Sequence, residues 1–505
     1  MRHLFWVAAL FLSAGASAQT LLIYGNDTVP VNQFLQALNK NDTSLKTPAA
    51  LKDYLNLYIA SRLKIKEAQS RKYDTLPQLL ADVESLRTQI LPVYEKDPET
   101  IRALTEEAFT RSQKDIRIRH IFIAFKDENG TWDTVAAAKK AAEVMAQVKG
   151  TTSFSDLAKK YSNDPSAKDN GGDLGYITVF TLPYQLENLA YSIPPGSVSS
   201  LYRSNKGYHI FKNEGERKAL GRVKSSQILI SFPPEGTEAE KSAAKKLADS
   251  LYARIIKGDD FAKLAARFSN DAFSASANGQ LPEFGVGEYD PLFEAAVYQL
   301  KAGETGKPFS TPFGYHIVRK ESVTPVAGTK TEGVMQALKE KVEQSDRVDV
   351  SKAVLIKKVI AQAGYKKLGW DEPALWQYSD SVFSSKPITK RVALQPATPL
   401  FTVGRDTTLV EDWINFAQTA RYSNDGSGIK SYPEVWEEFV QNAAMKYYLG
   451  HLEHFNSEFK NQMNEFRDGN LFFEIMQREI WGPAQSDTVA LKAYYQKNKQ
   501  QYQWT

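Results

Sequence analysis

The middle of this chain is written twice. IRHIFIAF at residues 118–125 is answered by SSQILISF at 225–232, and FSDLAKKYSND at 154–164 by FAKLAARFSND at 261–271. Gly172 is answered by Gly279, and GYHI at 207–210 by GYHI at 314–317, and every pair stands 107 residues apart. Four matches at one offset define a tandem duplication. No local propensity constrains the fold as strongly, because both copies must solve the same packing problem.

Within each copy the pattern runs strand, helix, helix, Gly-rich loop, helix, strand. The opening segments alternate apolar residues and are rich in Ile, as short β-strands are. Thr134 to Val148 and Glu238 to Ile256 are Ala- and Lys-rich with helical periodicity. Pro194-Pro195-Gly196 and Lys301-Ala302-Gly303 mark turns before the closing strands. A few antiparallel strands covered by helices make an α+β domain.

A second repeat flanks the first. YGNDTVPVNQF at 24–34 resembles VGRDTTLVEDW at 403–413, an offset of 379, and amphipathic helices follow both. Leu51, Tyr54, Leu55, Tyr58, Ile59 and Leu63 form one apolar stripe, and Val435, Trp436, Phe439, Val440 and Met445 begin the other. The expected organisation is a signal peptide at 1–18, a helical N-terminal region at 19–115 and domain copies at 116–217 and 218–325. A helix and linker at 326–399 and a helical C-terminal region at 400–505 follow. The first flank runs directly into a domain, whereas the second stops at Trp504-Thr505, so the chain is expected to be a fragment. Contacts between residues 21–115 and 400–505 would indicate one discontinuous helical domain. Two separate lobes would indicate a duplicated module.

The first residues address the chain for export. Arg2 and His3 precede an apolar run from Leu4 to Leu12 that is too short to span a bilayer, and Ala16-Ser17-Ala18 supplies the small residues of a cleavage site. The mature chain is expected to begin at Gln19 and to reside in a bacterial periplasm, with no stable membrane insertion. Zero cysteines exclude disulfides, thiol nucleophiles and thiolate metal sites. A net charge of +4 over 505 residues provides no global basic field, so no nucleic-acid partner is expected.

RHIFI at 119–123, YSNDPSAKDNGGDLGY at 161–176 and GYHI at 207–210 resemble the parvulin family of peptidyl-prolyl cis-trans isomerases. The resemblance covers about residues 116–325. Two such domains behind a signal peptide and a helical region are similar to the SurA-type periplasmic chaperones, which escort unfolded outer-membrane proteins. It implies an isomerase and chaperone for secreted or outer-membrane proteins, acting on unfolded or proline-containing polypeptides without cofactor or metal. Turning an X–Pro bond crosses an amide-resonance barrier of about 18–20 kcal/mol and breaks no bond. What assists is an apolar grip on the proline ring and a polar network around the twisting amide.

By position, the resemblance assigns that network to His120, Asp164 and His209 in copy one, as catalytic residues. It assigns the proline pocket to Leu182 and Leu186 there. In copy two the substrate-binding positions are Asp271, Tyr289, Phe293, Thr311 and His316, but Gln227 replaces the first histidine and GGDLG has become NGQLPEF. Copy one is therefore expected to carry the activity and copy two to bind peptide. Two histidines and an aspartate also suit a purely structural hydrogen-bond network, and a holdase with degenerate domains is the alternative function. His451 and His454 lack a carboxylate motif of the HExxH kind and read as a solvated helix face.

Overall fold

The computed structural model describes residues 19–41, 47–127, 130–233, 236–385, 394–423 and 428–502. The signal-peptide segment and Trp504-Thr505 lie outside the described residues. The chain divides into two compact units, Met1–Tyr94 with Tyr448–Thr505, and Glu95–Tyr447.

The first unit opens with a hairpin of β1 (Thr20–Tyr24) and β2 (Asp27–Pro30), followed by helices Val31–Asn41, Pro48–Ser70 and Pro77–Ile90. Val29 and Phe34 pack on Tyr58, with Tyr54 and Leu55 alongside. The stripe expected on the long helix is only partly buried, since Leu51 and Leu63 are exposed. Its far end turns inward instead: Ile65, Ala68 and Leu79 share a core with Leu471 and Ile475 of helix Ser457–Met476. Lys40–Glu465, Arg62–Asp468 and Arg87–Glu453 ion pairs border that contact. Residues from the two ends of the chain thus form one discontinuous helical unit.

In the second unit, copy one of the repeat contains β3 (Lys114–Ala124), β4 (Asp173–Ile177), β5 (Tyr202–Arg203) and β6 (Gly207–Lys218), in the antiparallel order β4-β3-β6-β5. Copy two contains β7 (Arg222–Ser231), β8 (Phe309–Thr311) and β9 (Gly314–Thr324), in the order β7-β9-β8. Helices Thr134–Val148 and Glu238–Ile256 lie where the periodicity places them. Asp133 caps the first, and a Thr237/Glu240 capping box starts the second. Each covers one sheet face, Ala141 and Val144 on Ile121 and Ile210, Ala248 and Leu251 on Ile228 and Ile317. Even the irregularity repeats: the β3–β6 ladder shifts register at Arg117/Ile118 and the β7–β9 ladder at Lys224/Ser225.

The copies differ where the Gly-rich motif has changed. In copy one it forms β4. In copy two the same stretch makes only single bridges, Gln280 to Ser226 and Phe284 to Val223. Pro282 stands between them and has no N–H to donate to a ladder.

After copy two, helices Glu332–Gln344 and Arg347–Ala363 return to helix Pro98–Ser112, with Val342 beside Ile101 and Leu104. The flanking repeat then recurs as β11 (Pro399–Val403) and β12 (Asp406–Leu409), with β10 (Tyr365–Lys367) added at the edge. Both hairpins shift register at the same place, Thr20/Leu22 and Pro399/Phe401, and both turn on a left-handed glycine, Gly25 or Gly404. The second hairpin packs into an aromatic core of Trp413, Trp436, Phe401 and Phe439. The hairpin module occurs twice, while helix Ser457–Met476 packs on the N-terminal helices.

Candidate active site

The segment Ser-Asn-Asp explains how the site is built. Ser162 Oγ accepts from Phe122 N at 3.1 Å, Asn163 N donates to Phe122 O at 2.7 Å, and Asn163 Oδ1 accepts from Ala124 N at 3.1 Å. Ser269 and Asn270 repeat all three bonds on Leu229 and Ser231. These side chains satisfy the open edge of β3 or β7 much as a neighbouring strand would. The following Asp164 or Asp271 is thereby carried to the first residue of the polar network.

Two glycines bring the remaining backbone close. His120 N donates to Gly172 O at 2.8 Å, and Gly172 has φ +75°. A Cβ there would stand 2.3 Å from His120 O. Gly207, which opens GYHI, lies as close to β3, since a Cβ would meet Ile123 O at 2.2 Å.

On the sheet face, ladder register makes a lattice of four side chains. His120 faces Phe211, and Phe122 faces His209. His120 Nε2 and His209 Nδ1 are 3.0 Å apart across the diagonal, and His209 Nε2 is 2.8 Å from Ser204 Oγ. Phe211 stacks on His120 at 4.5 Å between centroids, and Phe122 lies 4.9 Å from His209. Asp164 is not bonded to a histidine: its Oδ1 accepts from Ser166 N and Oγ, and it acts on His120 through its charge. Burial pushes His120 down to about 3; His209 adds to that shift and Asp164 opposes it. Burial likewise pushes His209 down to about 4. Both imidazoles are neutral at pH 7.

Leu182 and Leu186 lie partly buried in the cluster of Ile118, Ile177 and Phe211, so Phe211 links the proposed pocket wall to His120. At the two pocket positions copy one has Leu182 and Leu186 where copy two has Tyr289 and Phe293, and the rings against its histidines come from the strands.

Copy two builds the same polar line at the same offset. Thr311 Oγ1 is 2.8 Å from His316 Nε2, His316 Nδ1 is 3.1 Å from Gln227 Oε1, and Gln227 Nε2 donates to Asp271 Oδ2 at 2.8 Å. Burial pushes His316 down to about 4. The carboxylate only accepts, so the amide NH2 must face it; Nδ1 of His316 then carries the proton and Thr311 donates to Nε2. Proton order is fixed along this line. In copy one either histidine can donate to the other, and two orders are available. Around His316 the aromatic wall is dense: Phe293 at 5.4 Å, Phe309 stacked at 5.4 Å, and Tyr289 stacked on Phe293 at 5.3 Å.

All ten expected positions thus fall into two clusters, five in each copy. Ser204 was missed, although the 107-residue offset from Thr311 points directly to it. Phe122 and Phe211 were also missed, because only strand register places them beside the histidines.

Residues 120–215 and 208–323 each match a family model described as a PPIC-type PPIase domain. The two copies are parvulin-type domains. Chaperone SurA of Nitrosococcus oceani is 31% identical over 217 residues, covering 41% of this chain and 50% of its own. Chaperone SurA of Burkholderia lata is 33% identical over 216 residues, 41% of this chain and 47% of its own. The chain is SurA-like through its tandem domains, and it spans about half the length of the curated relatives it matches. A solved parvulin from Nitrosopumilus maritimus is 32% identical, covering 20% of this chain and 97% of that one, with a TM-score of 0.17.

Proposed function

We propose that this chain is an extracytoplasmic peptidyl-prolyl cis-trans isomerase and chaperone, with isomerase activity in the first domain and peptide binding in the second. The observation that carries this reading is the neutral His120–His209–Ser204 line beside Leu182 and Leu186. Rotation of an X–Pro bond shifts charge from the carbonyl oxygen to the nitrogen as resonance is lost. A neutral chain that exists in two proton orders can follow this redistribution without acquiring a net charge in an apolar site. Asp164 biases the line through its field. Phe211 holds His120 face-on, and the leucines provide the apolar grip on the proline ring.

The second domain has the deeper aromatic wall and a network of fixed order, which suits binding an extended apolar or aromatic segment. Its features also favour the alternative, a holdase that only binds unfolded chains. The export signal points to the periplasm, and the chaperone names of the relatives point to unfolded, proline-containing clients, outer-membrane proteins among them. No helix among the described residues is long and apolar enough to cross a membrane.

A protease-coupled assay on a short X–Pro peptide separates the readings. Wild type is expected to accelerate isomerisation, with a loss of about 10²-fold or more in His120→Ala and His209→Ala. Wild type at the uncatalysed rate, with retained suppression of aggregation of an unfolded outer-membrane protein, would leave the holdase.

A further inference from the structure

A buried glutamate on each pocket helix takes no part in this chemistry. Glu187 lies on Tyr184–Ser192 and Glu294 on Pro291–Gln299, again 107 residues apart. Each carboxylate accepts from the loop that leads into its helix. Phe180 N donates to Glu187 Oε2 at 2.8 Å, and Gly287 N to Glu294 Oε2 at 3.0 Å. The loop crosses the left-handed region at that residue, with φ +84° at Gly287 and +68° at Phe180. Glycine takes this conformation freely and phenylalanine does not, so the loop of the first domain needs support from outside.

In the second domain the support is local. Asp290 caps its own helix, accepting from Leu292 N and Phe293 N, and Glu294 takes a further bond from Tyr289 N at 2.8 Å. In the first domain the cap position is Pro183, which has no side-chain acceptor. There Tyr184 N donates at 2.8 Å to Asp346, which lies beyond the second domain at the start of helix Arg347–Ala363. Next to it, Arg347 Nη2 reaches Glu187 Oε1 at 2.5 Å, with both side chains almost wholly buried. Its guanidinium lies 4.3 Å from the ring centroid of Phe180 and 4.7 Å from that of Tyr184. Arg111, from the helix before the first domain, reaches the same Glu187 oxygen at 2.8 Å.

We propose that Asp346 and Arg347 are positioning residues for the proline pocket of the first domain. Together they form a clip from outside the domain that holds the Phe180 loop and the Leu186 helix in binding geometry. The proposal rests on the isomerase reading for its kinetic form. The hydrogen bonds that hold the second loop come from its own domain; those that hold the first are completed by the helix that follows the second domain. Binding at the first pocket is therefore tied to the placement of that helix.

The test uses the full chain and the variants Arg347→Met, Arg347→Lys and Asp346→Asn. Isomerase kinetics are measured beside residue-resolved amide exchange. Arg347→Met is expected to raise KM by roughly fivefold or more with kcat nearly unchanged, since the clip touches no reacting atom. Exchange at Phe180 and Tyr184 should quicken by about tenfold, while amides of residues 293–297 keep their wild-type protection. Asp346→Asn should quicken exchange at Tyr184. Arg347→Lys, which keeps the charge, should recover part of the KM change. Faster exchange at Phe180 with unchanged KM would reduce the clip to a structural contact and overturn the proposal, as would unchanged exchange. If wild type does not exceed the uncatalysed rate, the isomerase reading fails on its own. The affinity of a proline peptide by fluorescence titration then replaces KM, and equal affinity in wild type and Arg347→Met overturns the clip.

Discussion

His120, His209 and His316 are imidazoles that the fold keeps neutral. Burial holds them at about 3, about 4 and about 4, against about 6.5 in an unfolded chain. Between those limits the unfolded state binds more protons than the folded one, so stability rises with pH through the window and is lost as pH falls through it. Each ring contributes at most about 1.4 kcal/mol per pH unit. Denaturant unfolding at pH 7 and pH 4.5 should therefore show a smaller loss for His120→Gln than for wild type. Identical losses would mean that His120 takes up its proton in the fold as readily as out of it. Isomerisation, by the same placement, should be flat from about pH 6 to pH 8, because no ring titrates there. The ten expected positions were legible from the motif and the offset. What was not legible is their bonding: Asp164 bonds to Ser166 and Asp271 to Gln227, although the two occupy one place in the repeat.

At the scale of elements, Gly172 joins the Gly-rich loop to the first histidine. Gly172→Ala must abandon a φ of +75° or drive Cβ into His120 O, so a loss of about 2–4 kcal/mol is expected in denaturant unfolding, with a loss of isomerase activity. A change below about 0.5 kcal/mol would show that the loop relaxes at little cost. Helix limits in both copies were legible because their caps and periodicity are local. The fate of the Gly-rich segment was less so. It pairs as β4 in one copy and makes single bridges in the other, an outcome that follows from Pro282 but depends on a neighbouring strand being present. The apolar stripe from Leu51 to Leu63 was legible only in its middle for a related reason. Periodicity identifies an apolar face without saying what covers it: Val29 and Phe34 cover Tyr58, Leu51 and Leu63 stay exposed, and burial resumes at Ile65 and Ala68.

At the scale of the molecule, the first unit depends on both ends of the chain. Ile65, Ala68 and Leu79 are covered by Leu471 and Ile475, 392 to 410 residues away in sequence. A chain ending at Tyr447 should lose that cover, and residues 48–90 should become the first site of limited proteolysis. The two parvulin-type domains should keep their protection, since their cores are separate clusters in the other unit. Uniform protection of 48–90 in the shortened chain would show that the N-terminal helices stand alone.

By itself the sequence determined the duplication, the α+β order of each copy, ten positions of the two clusters and the residue differences between them, because repeats, caps and motifs are properties of short stretches. Tertiary structure decided how each polar line is bonded and that helix Ser457–Met476 joins the N-terminal helices. It also placed Asp346 and Arg347 against the pocket helix of a domain they do not belong to. Those outcomes depend on which faces meet across long chain separations, and no local pattern records that meeting.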